Sequence, residues 1–248
     1  TMIYIGYNCA RGPCADAALR RALDLLSHAC RLLDQNSDPS ISETSLRIEM
    51  ADVLLGLGEE ERAIAMLRAN NPCGVNDEAI GCILAGMAGR REEAMSLLSM
   101  ALLRHISGLI QIVGKFGDIY EDRGRLDQAD EVLAWLCPFL QGLEQPGSIN
   151  SLTKFRAAAL GGRAQIAWRS GRTADAEAFL REALALADRF DAAPNYRADA
   201  LRWYEGPDTA MFYDSMGATA RDAVRQAFTQ QGKDPEAEAF LTALEVES

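Results

Sequence analysis

Gly171-Arg172-Thr173-Ala174-Asp175-Ala176-Glu177-Ala178-Phe179-Leu180-Arg181-Glu182-Ala183-Leu184-Ala185-Leu186-Ala187-Asp188 is the stretch from which the fold is read. It begins with a glycine, places alanine five residues on at Ala176, and leucine nine on at Leu180. Five of the chain's 20 glycines share this template: Gly58–Ala63–Leu67, Gly89–Ala94–Leu98, Gly124–Ala129–Leu133, Gly171–Ala176–Leu180 and Gly232–Ala237–Leu241. Chance would supply about 0.4 such matches, so the pattern is an internal repeat. Each glycine is expected to end one helix in a left-handed conformation and let the chain reverse. The alanine then sits where two helix axes cross closely, and the leucine fills the space between them.

Four residues before the glycines stand Leu54, Ala85, Tyr120, Ala167 and Phe228, apolar side chains expected to face the same inter-helix core. Seven before stand the small residues Ala51, Cys82, Gly117 and Ala164, with Arg225 breaking the series. The marker glycines are 31, 35, 47 and 61 residues apart. The third interval holds a loop signal at Gln145-Pro146-Gly147-Ser148, and the fourth an additional segment over 190–216. An upstream unit is expected as well, with a stub helix near 2–10, a Gly12-Pro13 turn and a long helix about 15–35. The alternative is an all-helical bundle whose helix ends happen to carry glycine.

The repeat resembles the tetratricopeptide repeat, a 34-residue helix–turn–helix unit. That resemblance implies an all-α, right-handed superhelix of about five to six helical hairpins. It forms a single domain over 1–248, with repeats at 1–189, an aromatic-rich insertion at 190–216 and a C-terminal hairpin or cap at 217–248.

Composition narrows the function. Lys+Arg is 25 against Asp+Glu 36, a formal net charge of −11, which opposes direct nucleic-acid binding because that affinity comes mainly from clustered cations. The six cysteines, at 9, 14, 30, 73, 82 and 137, form no C-x-x-C pair, and His28 and His105 are the two imidazoles. Neither a metal site nor a cofactor is expected from them, and the scattered thiols read as small buried residues of a reduced compartment. No unbroken apolar run reaches the roughly 18 residues of a membrane span, and the N-terminus does not resemble a signal peptide, so the expected location is cytoplasmic. No nucleophile–base motif, phosphate loop or dinucleotide fingerprint is present, and catalysis is not expected.

Solenoids of this kind bind through the face lined by the first helix of each unit. Six residues before the glycines that face carries Asp52, Ile83, Asp118, Gln165 and Gln226; three before, it carries Leu55, Gly86, Glu121, Trp168 and Thr229. Glu49, Lys115, Asp122 and Arg169 are expected to share it. The candidate ligand-binding residues are therefore Asp52, Lys115, Asp118, Glu121, Gln165, Trp168, Arg169 and Gln226. Carboxylates and amides can bond both the N–H and C=O groups of an extended peptide, and Trp168 would add an apolar anchor. The excess of acid favours a neutral or cationic ligand.

Residues 190–228 hold seven of the 17 aromatics, Phe190, Tyr196, Trp203, Tyr204, Phe212, Tyr213 and Phe228, which either cap the end of the array or gate a pocket. Degenerate repeats followed by this aromatic segment and a Tyr213-Asp214-Ser215-Met216-Gly217-Ala218-Thr219-Ala220 helix start are similar to the sensor half of bacterial helix-turn-helix/tetratricopeptide regulators (the RRNPP-like group). The resemblance implies a short signalling peptide in the concave face, with Asp52, Asp118, Gln165 and Gln226 at the matching positions, and possible homodimers. The chain starts at Thr1-Met2-Ile3-Tyr4 inside a repeat-like helix, so the expectation is either an excised sensor domain or a stand-alone relative. The second functional expectation is a protein–protein adaptor or assembly scaffold without a small ligand.

Overall fold

The computed structural model describes residues 13–35, 43–69, 71–147, 149, 151–193, 201–207, 217–230 and 232–247. The fold is all-α. Ten α-helices are present among the described residues: α1 (Pro13–Gln35), α2 (Glu43–Gly56), α3 (Glu60–Ala69), α4 (Asp77–Ala85), α5 (Arg91–Asp122), α6 (Leu126–Leu143), α7 (Ser151–Arg169), α8 (Thr173–Ala192), α9 (Ala220–Phe228) and α10 (Pro235–Glu247). The stub expected near 2–10 lies outside the described residues. The chain divides into two compact units, Thr1–Ala101 and Leu102–Ser248.

The marker glycines do what their spacing predicts. All five have positive φ, between 69° and 79°. Three of them close the same hydrogen-bonded turn. At Gly171 the Arg172 N–H donates to the Ala167 carbonyl (2.9 Å) and the Gly171 N–H to the Trp168 carbonyl (2.9 Å). The corresponding bonds at Gly124 run from Arg125 to Tyr120 and from Gly124 to Glu121, and at Gly58 from Glu59 to Leu54 and from Gly58 to Leu55. This pair of bonds satisfies carbonyls that a helix end otherwise leaves without partners. The residue after the glycine then accepts the first bond of the next helix, from Ala63, Ala129 and Ala176. Those three alanines are fully buried, as is Ala237, with Ala94 nearly so.

Two turns depart from the pattern. In the Gly89 unit the first helix stops at Ala85, four residues before the glycine rather than two. The extra turn residues shift its register by one, so Ile80, Gly81 and Leu84 are buried while Cys82 and Ala85 are exposed. A Cβ on Gly81 would lie 2.8 Å from Leu98, so absence of a side chain is what lets α4 approach α5. The cysteines also correct the expectation of burial: Cys73 and Cys82 are exposed, Cys30 and Cys137 half-buried. Cys73 sits at φ 55° in a short 3-10 turn, which turns its thiol away from the core.

A larger departure is α5. The 34-residue period calls for a turn between the second helix of the Gly89 unit and the first helix of the Gly124 unit. Instead Arg91–Asp122 is one helix of 32 residues, belonging through Ala101 to the first unit and from Leu102 to the second. It is long and apolar enough, by length and composition alone, to cross a membrane, with 33% of the relevant stretch buried inside the fold.

The first unit packs α1 on α2, α2 on α3, and α3 on α4. Its core holds Ala51, Leu54, Ala63, Ile64, Leu67, Ile80, Leu84 and Ala94. In the second unit α7 is central, packing against α6, α8 and α9. Leu160, Ala164, Leu180, Leu184, Phe190, Val224, Phe228 and Leu241 form the core there, each large side chain contributing about 1.5–3 kcal/mol on burial. Gly161 brings α7 onto α9: a Cβ would stand 3.0 Å from the Val224 carbonyl and 3.3 Å from Ala227 Cβ.

From the 190–216 segment residues 201–207 are described. The Arg202 N–H donates to the Leu143 carbonyl (2.8 Å), Tyr204 is buried with its hydroxyl donating to the Pro207 carbonyl (2.8 Å), and Trp203 is 68% exposed. The helix after it starts on a reciprocal cap, in which Thr219 Oγ1 accepts from the Asp222 N–H and Asp222 accepts from the Thr219 N–H.

Two substitutions check this frame by thermal and urea unfolding. Ala176→Leu overpacks a closed crossing and is expected to cost about 1–3 kcal/mol. At Gly171 a Cβ would meet nothing within 4 Å, so Gly171→Ala isolates the backbone penalty of the left-handed conformation, about 1–2 kcal/mol. Unchanged midpoints for both would overturn the assigned register.

Candidate functional site

The last turn of α5 carries Asp118, Glu121 and Asp122 and no basic residue. Acids there face the negative end of the helix dipole, which disfavours them and deepens the local negative potential. With Gln165 of α7, Ala227 of α9 and Gln230 just beyond α9, they line a cavity of about 360 Å³ in the second unit. The helix hairpins explain part of the convergence: the Gly124 and Gly171 turns have the same bonds, and the residues six before each glycine, Asp118 and Gln165, both line the cavity, whereas three before it Glu121 does and Trp168 does not. Gln230, two residues beyond the end of α9, adopts a left-handed conformation with φ 51°.

Within the cavity the polar groups are unevenly satisfied. Asp118 accepts from Lys115 Nζ (2.6 Å), an exposed pair. Glu121 accepts from Arg169 Nη1 (2.8 Å). Burial, and beyond it the neighbouring Asp118 and Asp122 charges, push the Glu121 carboxyl above its ordinary value, and Arg169 offsets only part of this. Asp118 in turn holds Lys115 protonated more firmly than a solvated lysine. Gln165 is 2% exposed, and its amide nitrogen has no hydrogen-bond partner among the described residues. A buried polar atom left without a partner costs about 1–3 kcal/mol. The amide nitrogen is thus open to a partner from the cavity it lines.

The eight residues singled out from the sequence separate into groups. Asp118, Glu121 and Gln165 share the cavity, and Lys115 and Arg169 are bonded to its carboxylates. Asp52 is exposed on α2 in the first unit, its carboxyl raised by partial burial and by Glu49. Gln226 is exposed on α9 but is replaced in the cavity lining by Ala227 and Gln230. Counting back from Gly232 misses the lining residues by one, although Phe228, four before that glycine, is buried where the count puts it. Trp168 is half-buried and outside the cavity lining. Its ring packs against Phe240 (4.9 Å between centroids) and Phe228 (6.3 Å), flanking the core of the second unit.

A second, apolar groove of about 370 Å³ lies between α5 and α6, lined by Val113, Phe116, Tyr120, Val132 and Trp135 with Gln128 and Glu131. Ile112, Phe116 and Ile119 expose 58%, 52% and 42% of their surface on α5, and Trp135, stacked on Phe139, exposes 51%. Among the described residues no group of three His, Cys, Asp or Glu side chains is arranged to hold a metal ion. Cys137 is an unreactive thiol, pushed up to about 11 by burial. Comparison of the chain with protein-family models, with curated proteins and with solved structures returns no match.

Two measurements follow from this geometry. Because the folded state holds the Glu121 proton above the ordinary value near 4.5, stability falls as pH rises from that value through the raised one. The melting temperature of Glu121→Gln minus that of the parent should therefore grow between pH 4 and pH 6.5, whereas a constant difference would contradict the shift. Trp168→Ala should destabilise on the order of 2–3 kcal/mol, below the range for a fully enclosed ring. A loss under 1 kcal/mol in urea unfolding would return Trp168 to the surface.

Proposed function

We propose that this chain is a non-catalytic binding module of tetratricopeptide-like superhelical build, whose ligand is a short peptide or a protein segment. In this reading it is the sensor part of a cytoplasmic transcriptional regulator. The observation that carries the reading is the cavity in which Asp118, Glu121 and Gln165 meet, from helices preceding two identically bonded glycine turns. Support for the repeat build comes from the five positive-φ glycines and the buried alanines that follow them. The 32-residue α5 is the element at odds with it, since it fuses two hairpins into one rod.

The cavity residues recognise rather than transform. Carboxylates and an amide supply charge and hydrogen bonds, and none of the lining residues is a nucleophile beside a base. The net charge of −11 supports a division of labour in which DNA is contacted by another chain or domain. The regulatory setting itself rests on the likeness of the aromatic segment and the following helix to sensor domains. A second reading, an adaptor without a small ligand, is favoured by the exposed Phe116, Ile119 and Trp135 around the α5–α6 groove, since apolar patches of this kind commonly mark protein contacts.

Native mass spectrometry of protein purified gently from its own host tests the choice. A co-purifying mass of peptide size, released under mild denaturation, is the expected result. A ligand-free monomer or homodimer that instead captures a folded partner through the Phe116 and Trp135 face, and loses it in Phe116→Ser, would replace the sensor with the adaptor.

A further inference from the structure

The cavity at the end of α5 has a composition that specifies the charge of its occupant. Three carboxylates, Asp118, Glu121 and Asp122, meet two cations, Lys115 and Arg169, and those cations bond Asp118 and Glu121. Asp122 has no ion-pair partner among the described residues, and the cluster keeps one negative charge in excess beside a helix C-terminus, where carbonyl dipoles add to it. A cluster of acids alone would say little, since solvated acids are common. The amide of Gln165 supplies the independent observation. It is 98% enclosed, lines the same cavity, and no hydrogen bond to the described residues holds its nitrogen.

Native folds rarely bury a polar atom without a partner, and an exception at a cavity wall points to a guest that completes it. An amide that nothing pins can turn, offering its oxygen to an incoming N–H or its nitrogen to an incoming carbonyl. The guest needs positive charge for the carboxylates and hydrogen-bonding capacity for the amide. The carboxylates do not converge as metal ligands do, which leaves an organic cation with directional N–H groups. The volume, about 360 Å³, admits one long side chain rather than a whole peptide.

We infer that the cavity lined by Asp118, Glu121, Asp122 and Gln165 is a subsite for the cationic side chain of an arginine or lysine in a bound peptide. This rests on the peptide-binding reading above and adds which residue of the ligand the site selects. Arg169 and Lys115 act at its rim, holding Glu121 and Asp118 in place, while Asp122 and the Gln165 amide meet the guest.

The test uses the whole chain and three capped tripeptides, acetyl-Ala-Arg-Ala-amide, its lysine counterpart and its citrulline counterpart, with binding followed by ligand-observed NMR. Citrulline keeps the shape of arginine and removes its charge. The expected result is that the arginine or the lysine peptide binds at least tenfold more tightly than the citrulline peptide. Asp122→Asn should weaken that binding at least tenfold with an unchanged melting temperature. Gln165→Met should abolish it while leaving the melting temperature equal or higher, because an apolar chain of similar size removes the unpartnered amide. A Gln165→Met variant that loses stability but keeps binding would mark the amide as structural and overturn the proposal. Equal binding of the charged and citrulline peptides would overturn the subsite and leave the peptide-binding reading standing. No binding of any of the three would count against both.

Discussion

A glycine in the left-handed conformation, followed five residues later by a buried alanine, is the constraint from which the helical pairs derive. The positive φ allows two successive N–H groups to double back onto the carbonyls of the finished helix, so the chain reverses without leaving polar groups unpaired. The reversal starts the next helix at a fixed point, and the alanine arrives at the closest approach of the two axes. Only then can Leu67, Leu180 and Leu241 reach the space between helices and be enclosed. Backbone geometry at one residue thus decides which side chains are sheltered over the following turns.

The same geometry decides what converges on the outside of each pair. Where two turns share all their bonds, as at Gly124 and Gly171, the residues six before the glycine, Asp118 and Gln165, meet across α5 and α7, joined by Glu121 from the position three before Gly124. In the Gly89 unit, where the turn is lengthened, the buried positions fall one residue farther from the glycine. The cavity also gathers local conflicts, with three acids near the C-terminal end of a helix and an amide nitrogen that bonds none of the described residues. Local conflicts of this sort are commonly retained where a site needs them.

Much of this was legible in the sequence, for reasons that differ by residue. The glycine turns could be read because glycine has a distinct conformational role and because the alanine and leucine recur at fixed distances from it. Asp118, Glu121 and Gln165 followed from the same counting, and Lys115 and Arg169 were read as neighbours on the same face. The continuity of α5 could not be read, because nothing between 91 and 122 is a proline or a cluster of turn formers, and only the repeat period argued for a break. Isolated Gly108, Gly114 and Gly117 are tolerated inside a helix, and they leave it unbroken here. The contact of Trp168 with the aromatic rings of α9 and α10 could not be read, because it depends on Phe228 and Phe240 far along the chain. Gln230 was missed because it lies past the end of its helix, where periodic counting stops.

The five marker glycines lie 31 to 61 residues apart, and the alanine five residues after each is buried. The third interval is long because α6 and α7 have 18 and 19 residues where α3 and α4 have 10 and 9, and the fourth because of the segment before α9. A residue inserted between Gly171 and Ala176 would rotate every later side chain of α8 by about 100°, whereas one inserted after Leu143 shifts no helical face. The chain is therefore divided into rigid joints that admit no insertions and connections that absorb them. A gene of this kind can lengthen and acquire new surface in its connections while each helical pair stays in register.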